Sequence, residues 1–283
     1  LPDGLQLYQH GRDDAHQRQI TLIRDLRHAA QAGGLHLHFQ PKVDLEHGRV
    51  YQAEALLRWN HPVHGMVSPG EFIPLAERTG SIQLLTAWVI EAVLRQLHLW
   101  NGRGLYMEVS LNISAEDLSS LTLEQRVGEL LQRYVIPGDQ LVFEITESAM
   151  MRDPDRALAM LHRLRSLGIR LSVDDFGTGY SSLAQLRRMP VQELKIDQSF
   201  IRELDDTCGD AVIVRSTIDM SHALGLKVVA EGVEHGETRD LLRAWGCDTL
   251  QGYFFSRPLP ADVFETWLKQ QPHLAARPRK EHS

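Results

Sequence analysis

Beyond residue 35 the chain repeats one theme: a short apolar run, then a stretch whose apolar residues return every three or four positions. The runs fall at 35–43, 50–59, 107–113, 141–146, 170–176, 193–197, 227–233 and 249–255, and each has the length and composition of a strand. Helical signals lie between them. Over 81–100 the apolar positions are Ile82, Leu85, Trp88, Val89, Ala92 and Leu97. Asp153-Pro154 reads as an N-cap followed by proline at the first helical position, with Gly168 as the stop. Two more helices, 209–224 and 234–245, end at Gly225 and Gly246. Ser68-Pro69-Gly70-Glu71 has capping-box spacing ahead of Phe72-Ile73. Before the first strand, Ile20, Ile23, Leu26, His28 and Ala30 trace a connecting helix that closes at Gly33-Gly34.

Such alternation predicts an α/β fold with a largely parallel sheet and right-handed crossovers. Two architectures compete. A closed (β/α)8 barrel takes roughly 250 residues and builds its site from the C-terminal ends of all its strands. A doubly wound open sheet puts the site at one switch point fed by two or three strands. Here every run carries a polar or charged residue at or near its C-terminal end: Gln40, Glu54, Asn112, Glu144, the pair Asp174–Asp175, Lys195, Glu231 and Gln251. A ring drawn from all eight strands favours the barrel. Isolated charges at buried strand ends are costly, so five carboxylates and a carboxamide on one rim call for compensating divalent metal.

The chain has 283 residues, of which 43% are hydrophobic, enough for one large domain with a real core. The expected division is a linker helix over 1–33, a main domain over 34–270, and a polar, frayed tail over 271–283. A net charge of −7 argues against binding a nucleic acid polymer, although a small phosphate ester stays open because a bound cation reverses the local field. Cys208 and Cys247 match no zinc spacing and are too few for a disulfide framework, so they read as small buried hydrophobes in a reducing compartment. No apolar run reaches membrane-spanning length and no signal peptide opens the chain. A cytoplasmic location is expected. The opening at Leu1 rather than Met points to a piece of a longer polypeptide, whose anchor or sensor would lie outside it.

Strand periodicity puts Glu54, Leu56 and Arg58 on one face. Glu54 is a candidate metal ligand and Arg58 a candidate phosphate contact; a plain Glu–Arg pair is the alternative. Asn112 offers a hard neutral oxygen suited to Mg2+ or Mn2+, or else a turn cap. Glu144 shares a face with Thr146, while Glu147 turns the other way and is placed behind the site, bracing a neighbouring loop. Asp174 and Asp175 can reach one centre only where the strand breaks, which Gly177 and Gly179 make easy. An aspartate bridging two cations beside a second aspartate is a recurrent element of two-metal sites. No Walker lysine or three-glycine dinucleotide spacing accompanies these glycines, so 174–183 reads as a loop over the site. Lys195 and Asp197 share a face; Lys195 either pairs with the acids or orients a nucleophilic water. Gly232 and Gly252 are expected to keep space open beside Glu231 and Gln251. None of the fourteen histidines forms an HExxH pair, and His36, His38, His61 and His64 read as surface or core residues.

Taken together, the segments FQPKVDL (39–45), EALLRW (54–59), SLNIS (110–114), FEITES (143–148), DDFGTGYSSL (174–183), LKIDQSFI (194–201), VVAEGVE (228–234) and QGYFFSRPLP (251–260) resemble the EAL-domain family of cyclic di-GMP phosphodiesterases. The likeness spans about 35–268 with its spacing intact. It implies a modified TIM (β/α)8 barrel whose first strand runs antiparallel, and hydrolysis of cyclic di-GMP to linear 5′-pGpG by a water activated between two cations. The metal ligands it implies are Glu54, Asn112, Glu144, Asp174, Asp175 and Glu231, holding Mg2+ or Mn2+, with Ca2+ expected to inhibit. Lys195, Glu231 and Asp175 fall on catalytic positions, Gln40, Arg58, Asp197 and Gln251 on substrate-binding or site-ordering ones, and Glu147 on the loop-steadying one. The resemblance also implies a homodimer through the surface near 174–183 and upstream GGDEF or sensor domains in the parent chain. The rival reading is a receptor that binds cyclic di-GMP without cutting it. An enolate-forming metal-dependent lyase on the same barrel is more distant, since it wants fewer acids and one metal.

Overall fold

The computed structural model describes residues 10–177, 183–207, 209–271 and 274. Ten strands appear in chain order: β1 (Leu35–Asp44), β2 (Arg49–His61), β3 (Gly65–Val67), β4 (Glu108–Ile113), β5 (Leu141–Thr146), β6 (Arg170–Phe176), β7 (Glu193–Ile196), β8 (Lys227–Ala230), β9 (Thr249–Gln251) and β10 (Leu259–Pro260). The helices are α1 (His10–Ala32), α2 (Pro69–Arg78), α3 (Ile82–Gly102), α4 (Ala115–Leu118), α5 (Leu123–Tyr134), α6 (Glu147–Met151), α7 (Pro154–Ser166), α8 (Leu183–Leu186), α9 (Gly209–Ala223), α10 (Gly236–Ala244) and α11 (Ala261–Gln270). Among the described residues no helix is long and apolar enough to cross a membrane.

The chain divides into two compact units, one formed by residues up to His36 with Leu57–Leu85, the other by Leu37–Leu56 with everything from Thr86. In the first unit the β2–β3 hairpin pairs Trp59 with Val67. Trp59 stacks edge-on against Phe72 at 5.6 Å between centroids. The Arg18 guanidinium grips Glu71 with two bonds, Nε to Oε1 at 2.6 Å and Nη2 to Oε2 at 3.0 Å. That grip explains a departure from the sequence expectation: Ser68 precedes α2 without a side-chain cap, because Glu71 is turned toward Arg18 instead of closing a capping box. His61 is a buried core residue. Its Nδ1 accepts from the Val63 and His64 amides while Nε2 faces Asp25 at 3.2 Å.

The second unit is the barrel. Strand order runs β1-β9-β8-β7-β6-β5-β4-β2, and β1 pairs with β2 to close the ring. Strands β2 and β4 to β9 are parallel, while β1 is antiparallel to β9, with Lys42 opposite Gln251 and Asp44 opposite Thr249. The fold is therefore a modified TIM barrel with an antiparallel first strand. Period-two alternation sorts each strand into two faces. In β4, Val109, Leu111 and Ile113 are buried on one face while Glu108, Ser110 and Asn112 occupy the other. In β6, Leu171 and Val173 alternate with Ser172 and Asp174 in the same way. The interior is thus polar and charged, where barrels of this kind usually stack branched apolar side chains in layers.

Helix signals in the sequence work as read around α7. The Asp153 side chain accepts from the Arg156 amide at 3.3 Å, Pro154 opens the helix, and Gly168 follows its end. Cys247 is buried, with its thiol pushed by burial up to about 12, so it is inert. Cys208, the linker segment 1–9 and the tail segments 272–273 and 275–283 lie outside the described residues.

Candidate active site

The parallel strands end at one mouth, and the antiparallel β1 brings its N-terminal half there. Gln40 sits near the middle of its ten-residue strand, and Glu54 in the middle of the long β2; neither occupies a strand C-terminus as the sequence pattern implied. The reason is chain direction in β1 and the extension of β2 to His61.

Lys195 is the centre, with 1% of its side chain exposed. Its Nζ lies 2.8 Å from Glu144 Oε2, 2.5 Å from Glu231 Oε1, 3.0 Å from Asp174 Oδ1 and 4.0 Å from Glu54 Oε2. Burial alone would depress this amine, and the surrounding acids reverse that and hold it well above its ordinary value. Glu144 is fully enclosed between two ammonium groups. Its Oε1 accepts from Lys42 Nζ at 2.6 Å and its Oε2 from Lys195. Burial would raise Glu144, and the two lysines overturn this and lower it to about 2. Glu231 has one partly offsetting ammonium neighbour, and burial pushes it up to about 8. Burial also raises Glu54 against the pull of Lys195.

An amide relay lines the opposite wall. Gln251 Nε2 donates to Glu54 Oε2 at 2.6 Å and to Gln40 Oε1 at 3.0 Å, and Gln40 Nε2 donates to the Ser256 carbonyl at 3.1 Å. Asn112 Nδ2 donates to Glu54 Oε1 at 3.1 Å. The paired aspartates converge because β6 breaks, as the sequence requires. The register shifts between Val173 and Phe176, Asp175 takes φ 53°, and its amide donates to Asp174 Oδ1 at 3.0 Å. A non-glycine residue in the left-handed region is uncommon and marks local strain. Burial first, then the charges of Asp174 and Asp197, push Asp175 up to about 6. Asp197 caps the turn after β7 by accepting from the Ser199 amide at 2.9 Å.

Two glycines have a role other than the one expected of them. A Cβ on Gly252 would stand 2.1 Å from the Val233 carbonyl oxygen, and one on Gly232, at φ 74°, would stand 2.6 Å from Gln198 Cβ. They permit close backbone approach and leave no open space. The bonds Val233 N to Gln251 O at 3.1 Å and Phe254 N to Val233 O at 2.9 Å run through that contact and fix the rim carrying Glu231 and Gln251.

Arg58 belongs to the other unit, where its Nη1 donates to the Leu57 carbonyl at 2.9 Å. Glu147 is buried as the first residue of α6, whose N-terminus Thr146 caps. Of the loop it is expected to brace, residues 178–182 lie outside the described residues, and so does most of the surface expected to dimerise. Sequence reasoning assigned no role to Lys42 or Glu193, which are 1% and 2% exposed. Their signal was the same period-two alternation, since Lys42 follows Gln40 and Glu193 precedes Lys195 at a spacing of two.

Within this network six carboxylates (Glu54, Glu144, Asp174, Asp175, Glu193 and Glu231) face two ammonium groups, Lys42 and Lys195. Fully ionised, that leaves a formal excess of four negative charges, which two divalent cations would cancel. The Oε1 of Gln251 is buried with no partner among the described residues, a free neutral oxygen beside the acids. An all-oxygen donor set of this charge fits Mg2+ or Mn2+ and does not suit zinc. A separate group, Asp44, Glu46 and His47, lies at the far end of β1, and its Asp44 is already bonded to the His47 amide at 2.9 Å.

The EAL domain family model matches residues 23–258. The chain is 44% identical over 247 residues to the bifunctional diguanylate cyclase/cyclic di-GMP phosphodiesterase MucR of Pseudomonas aeruginosa, covering 87% of this chain and 36% of that protein. It is 41% identical over 259 residues to the cyclic di-GMP phosphodiesterase PA2567 of the same organism, covering 91% and 44%. It therefore spans less than half the length of these relatives. Among solved structures, the PaMucR phosphodiesterase in complex with c-di-GMP superposes with a TM-score of 0.82 at 43% identity, covering 86% of this chain and 99% of that one.

Proposed function

Since the chain belongs to the EAL-domain family, we propose that its barrel mouth hydrolyses cyclic di-GMP to linear 5′-pGpG with the help of two Mg2+ or Mn2+ ions. The observation that carries this reading is the buried cluster of six carboxylates around Lys195 and Lys42, which when fully ionised has a formal excess of four negative charges. Relatives named as cyclic di-GMP phosphodiesterases support it.

Glu54, Asn112, Glu144, Asp174, Asp175 and Glu231 would hold the ions. Bound there, the ions would neutralise phosphate oxygens and make water acidic enough to react near neutral pH. The chain's own groups supply the rest. Glu231, raised to about 8, suits the role of proton acceptor for the attacking water at Oε1. Lys195, fixed by Glu144 and Asp174, holds Glu231 in place and presents positive charge to the oxygens that gain charge in the transition state. The water oxygen bonds to phosphorus as its proton passes to Glu231, the bond to the ribose 3′ oxygen breaks, that oxygen takes up a proton from solvent water, and Glu231 returns its proton to solvent. Gln40 and Gln251 order Glu54 and the substrate side of the mouth. Arg58 and Asp197 are substrate contacts. Glu147 steadies the loop that follows Asp175.

The same reading takes 34–270 as the catalytic domain, with 1–33 leading from upstream GGDEF or sensor domains of a cytoplasmic or membrane-anchored parent. It includes a homodimer through the surface near 174–183. Ca2+, larger and looser in geometry, should occupy the ligands and support little turnover. The test is incubation of the purified chain with Mn2+ and cyclic di-GMP, read by chromatography. Formation of pGpG is the expected result. Saturable binding without product would make the chain a receptor.

A further inference from the structure

The buried lysine of β1 has no part in the reaction as proposed above, yet it is bonded directly to one of the acids. Lys42 Nζ stands 2.6 Å from Glu144 Oε1 and 3.6 Å from Glu193 Oε1, and its side chain is 1% exposed. Glu144 has two oxygens and two lysines, and the lysines do different things. Lys195 occupies Oε2 together with the oxygens of Glu231 and Asp174, the atoms that face the mouth. Lys42 touches none of those. It takes the rear oxygen only.

We propose that Lys42 is a positioning residue: from beneath the mouth it pins the rear oxygen of Glu144, so that the front oxygen is presented to a divalent cation. This rests on the metal-dependent reading of the site. The physical reason is general. A ligating carboxylate holds a metal well when its other oxygen is fixed by a partner, and loss of such a partner typically weakens metal binding by about 10–100-fold. Glu193 completes the floor. Ser172, opposite both Glu144 and Glu193 in the ladder, and Ser110 carry buried hydroxyls with no hydrogen-bond partner among the described residues, and Glu193 Oε1, though near Lys42, accepts no hydrogen bond there. Among the described residues Lys195 bonds the front oxygen of Glu144 and Lys42 the rear one, so the rear oxygen depends on Lys42.

The sign of the effect separates positioning from simple charge. An ammonium repels a cation, so if Lys42 acted only through its charge, its removal would tighten metal binding. Pinning predicts the opposite. The experiment is titration of the whole chain with Mn2+ in the absence of substrate, read by electron paramagnetic resonance, for wild type, Lys42→Met and Glu193→Gln. Met keeps the length and apolar stem of lysine. Lys42→Met should weaken Mn2+ binding about 10–100-fold, and excess Mn2+ should then recover most of kcat with KM for the nucleotide little changed. Glu193→Gln should shift Mn2+ affinity by less than about threefold, because the 2.6 Å contact survives it.

Unchanged or tighter binding in Lys42→Met overturns the proposal. An equal loss in Glu193→Gln overturns the assignment to the Lys42–Glu144 contact. If Lys42→Met does not fold, the double variant Lys42→Met with Glu193→Gln, which removes the acid stranded by the first change, is titrated under the same criterion. A wild-type chain that binds no Mn2+ overturns the metal-dependent reading along with this one, whereas normal wild-type binding with an unaffected Lys42→Met overturns this one alone.

Discussion

Replacing Lys195 by Met tests the centre of the site in two directions at once. Four carboxylates lie within 4.0 Å of its Nζ, and 1% of the side chain is exposed. Removing one partner of a buried ion pair costs about 3–5 kcal/mol, because the remaining charge is left without compensation. Glu231 can relieve part of this by holding a proton, since it already titrates near 8. Glu144 keeps Lys42. The upper end of the range is therefore not expected. At roughly 2–4 °C per kcal/mol for a chain of this size, the metal-free variant should melt about 6–15 °C below wild type. Turnover should fall by about 10^2–10^4, the usual worth of a group that assists proton transfer. The informative measurement is the melting temperature with and without Mn2+. Lys195 and a cation compete for the same oxygens, so Mn2+ should raise the melting temperature of the variant more than that of wild type. A variant that melts and turns over like wild type refutes the central role of Lys195. A variant that gains less from Mn2+ than wild type refutes the idea that these oxygens form a cation site.

Metal-free stability should depend on pH with a definite sign. Glu144 sits near 2 in the folded chain, below its unfolded value, so its contribution is present above about 4.5 and fades as pH falls toward 2. Asp175 and Glu231 are raised to about 6 and about 8, so the folded chain keeps protons that the unfolded chain gives up, and stability drains away as pH rises through those values. Thermal melts in chelator should therefore be higher at pH 5 than at pH 8, and Mn2+ should shrink the difference; a metal-free melt that is higher at pH 8 contradicts the account. Glu54→Gln should keep the fold, since Gln retains one acceptor oxygen for Asn112 or Gln251 and the other of those two can turn its amide oxygen toward the new NH2, while activity at fixed Mn2+ drops by about 100-fold; wild-type hydrolysis by that variant removes Glu54 from the ligand set. Gly252→Ala drives a methyl into the Val233 backbone and should cost at least the upper end of about 1–3 kcal/mol, visible as a lower melting temperature, whereas an unchanged melt shows that the rim can move aside.

Strand positions were legible because the barrel obeys local rules. Residues 141–146 and 170–176 were read as they appear in β5 and β6. Where the reading overran, a long-range contact had intervened. The runs expected over 227–233 and 249–255 stop as strands at Ala230 and Gln251, because Val233 and Gly252 leave the ladder to pack backbone against backbone. Nothing local to either segment announces that meeting. The short elements β3, α4 and α8 were not read either, being too brief for periodicity to register. The amphipathic α5 was long enough to find: Leu123, Val127, Leu130 and Leu131 form its buried face.

The ring of acids was legible because each interrupts an apolar run, and the break at Asp174–Asp175 followed from asking how neighbouring residues on a strand can share a centre. Lys42 and Glu193 escaped for a related reason. A charge in mid-strand looks like ordinary solvent-facing alternation when the opposite face is apolar, and sequence does not say which face is outside. In this barrel the apolar faces Val109–Leu111 and Leu171–Val173 are buried as well, so the polar faces are the ones turned inward. A charged barrel interior is costly unless it is paired, and the pairing here, with every acid ionised, falls short by four negative charges. That shortfall separates a binding interior from a structural one. A core evolved only for stability would match its lysines to its acids, whereas one left short of positive charge is poised to gain stability from the cations it takes up.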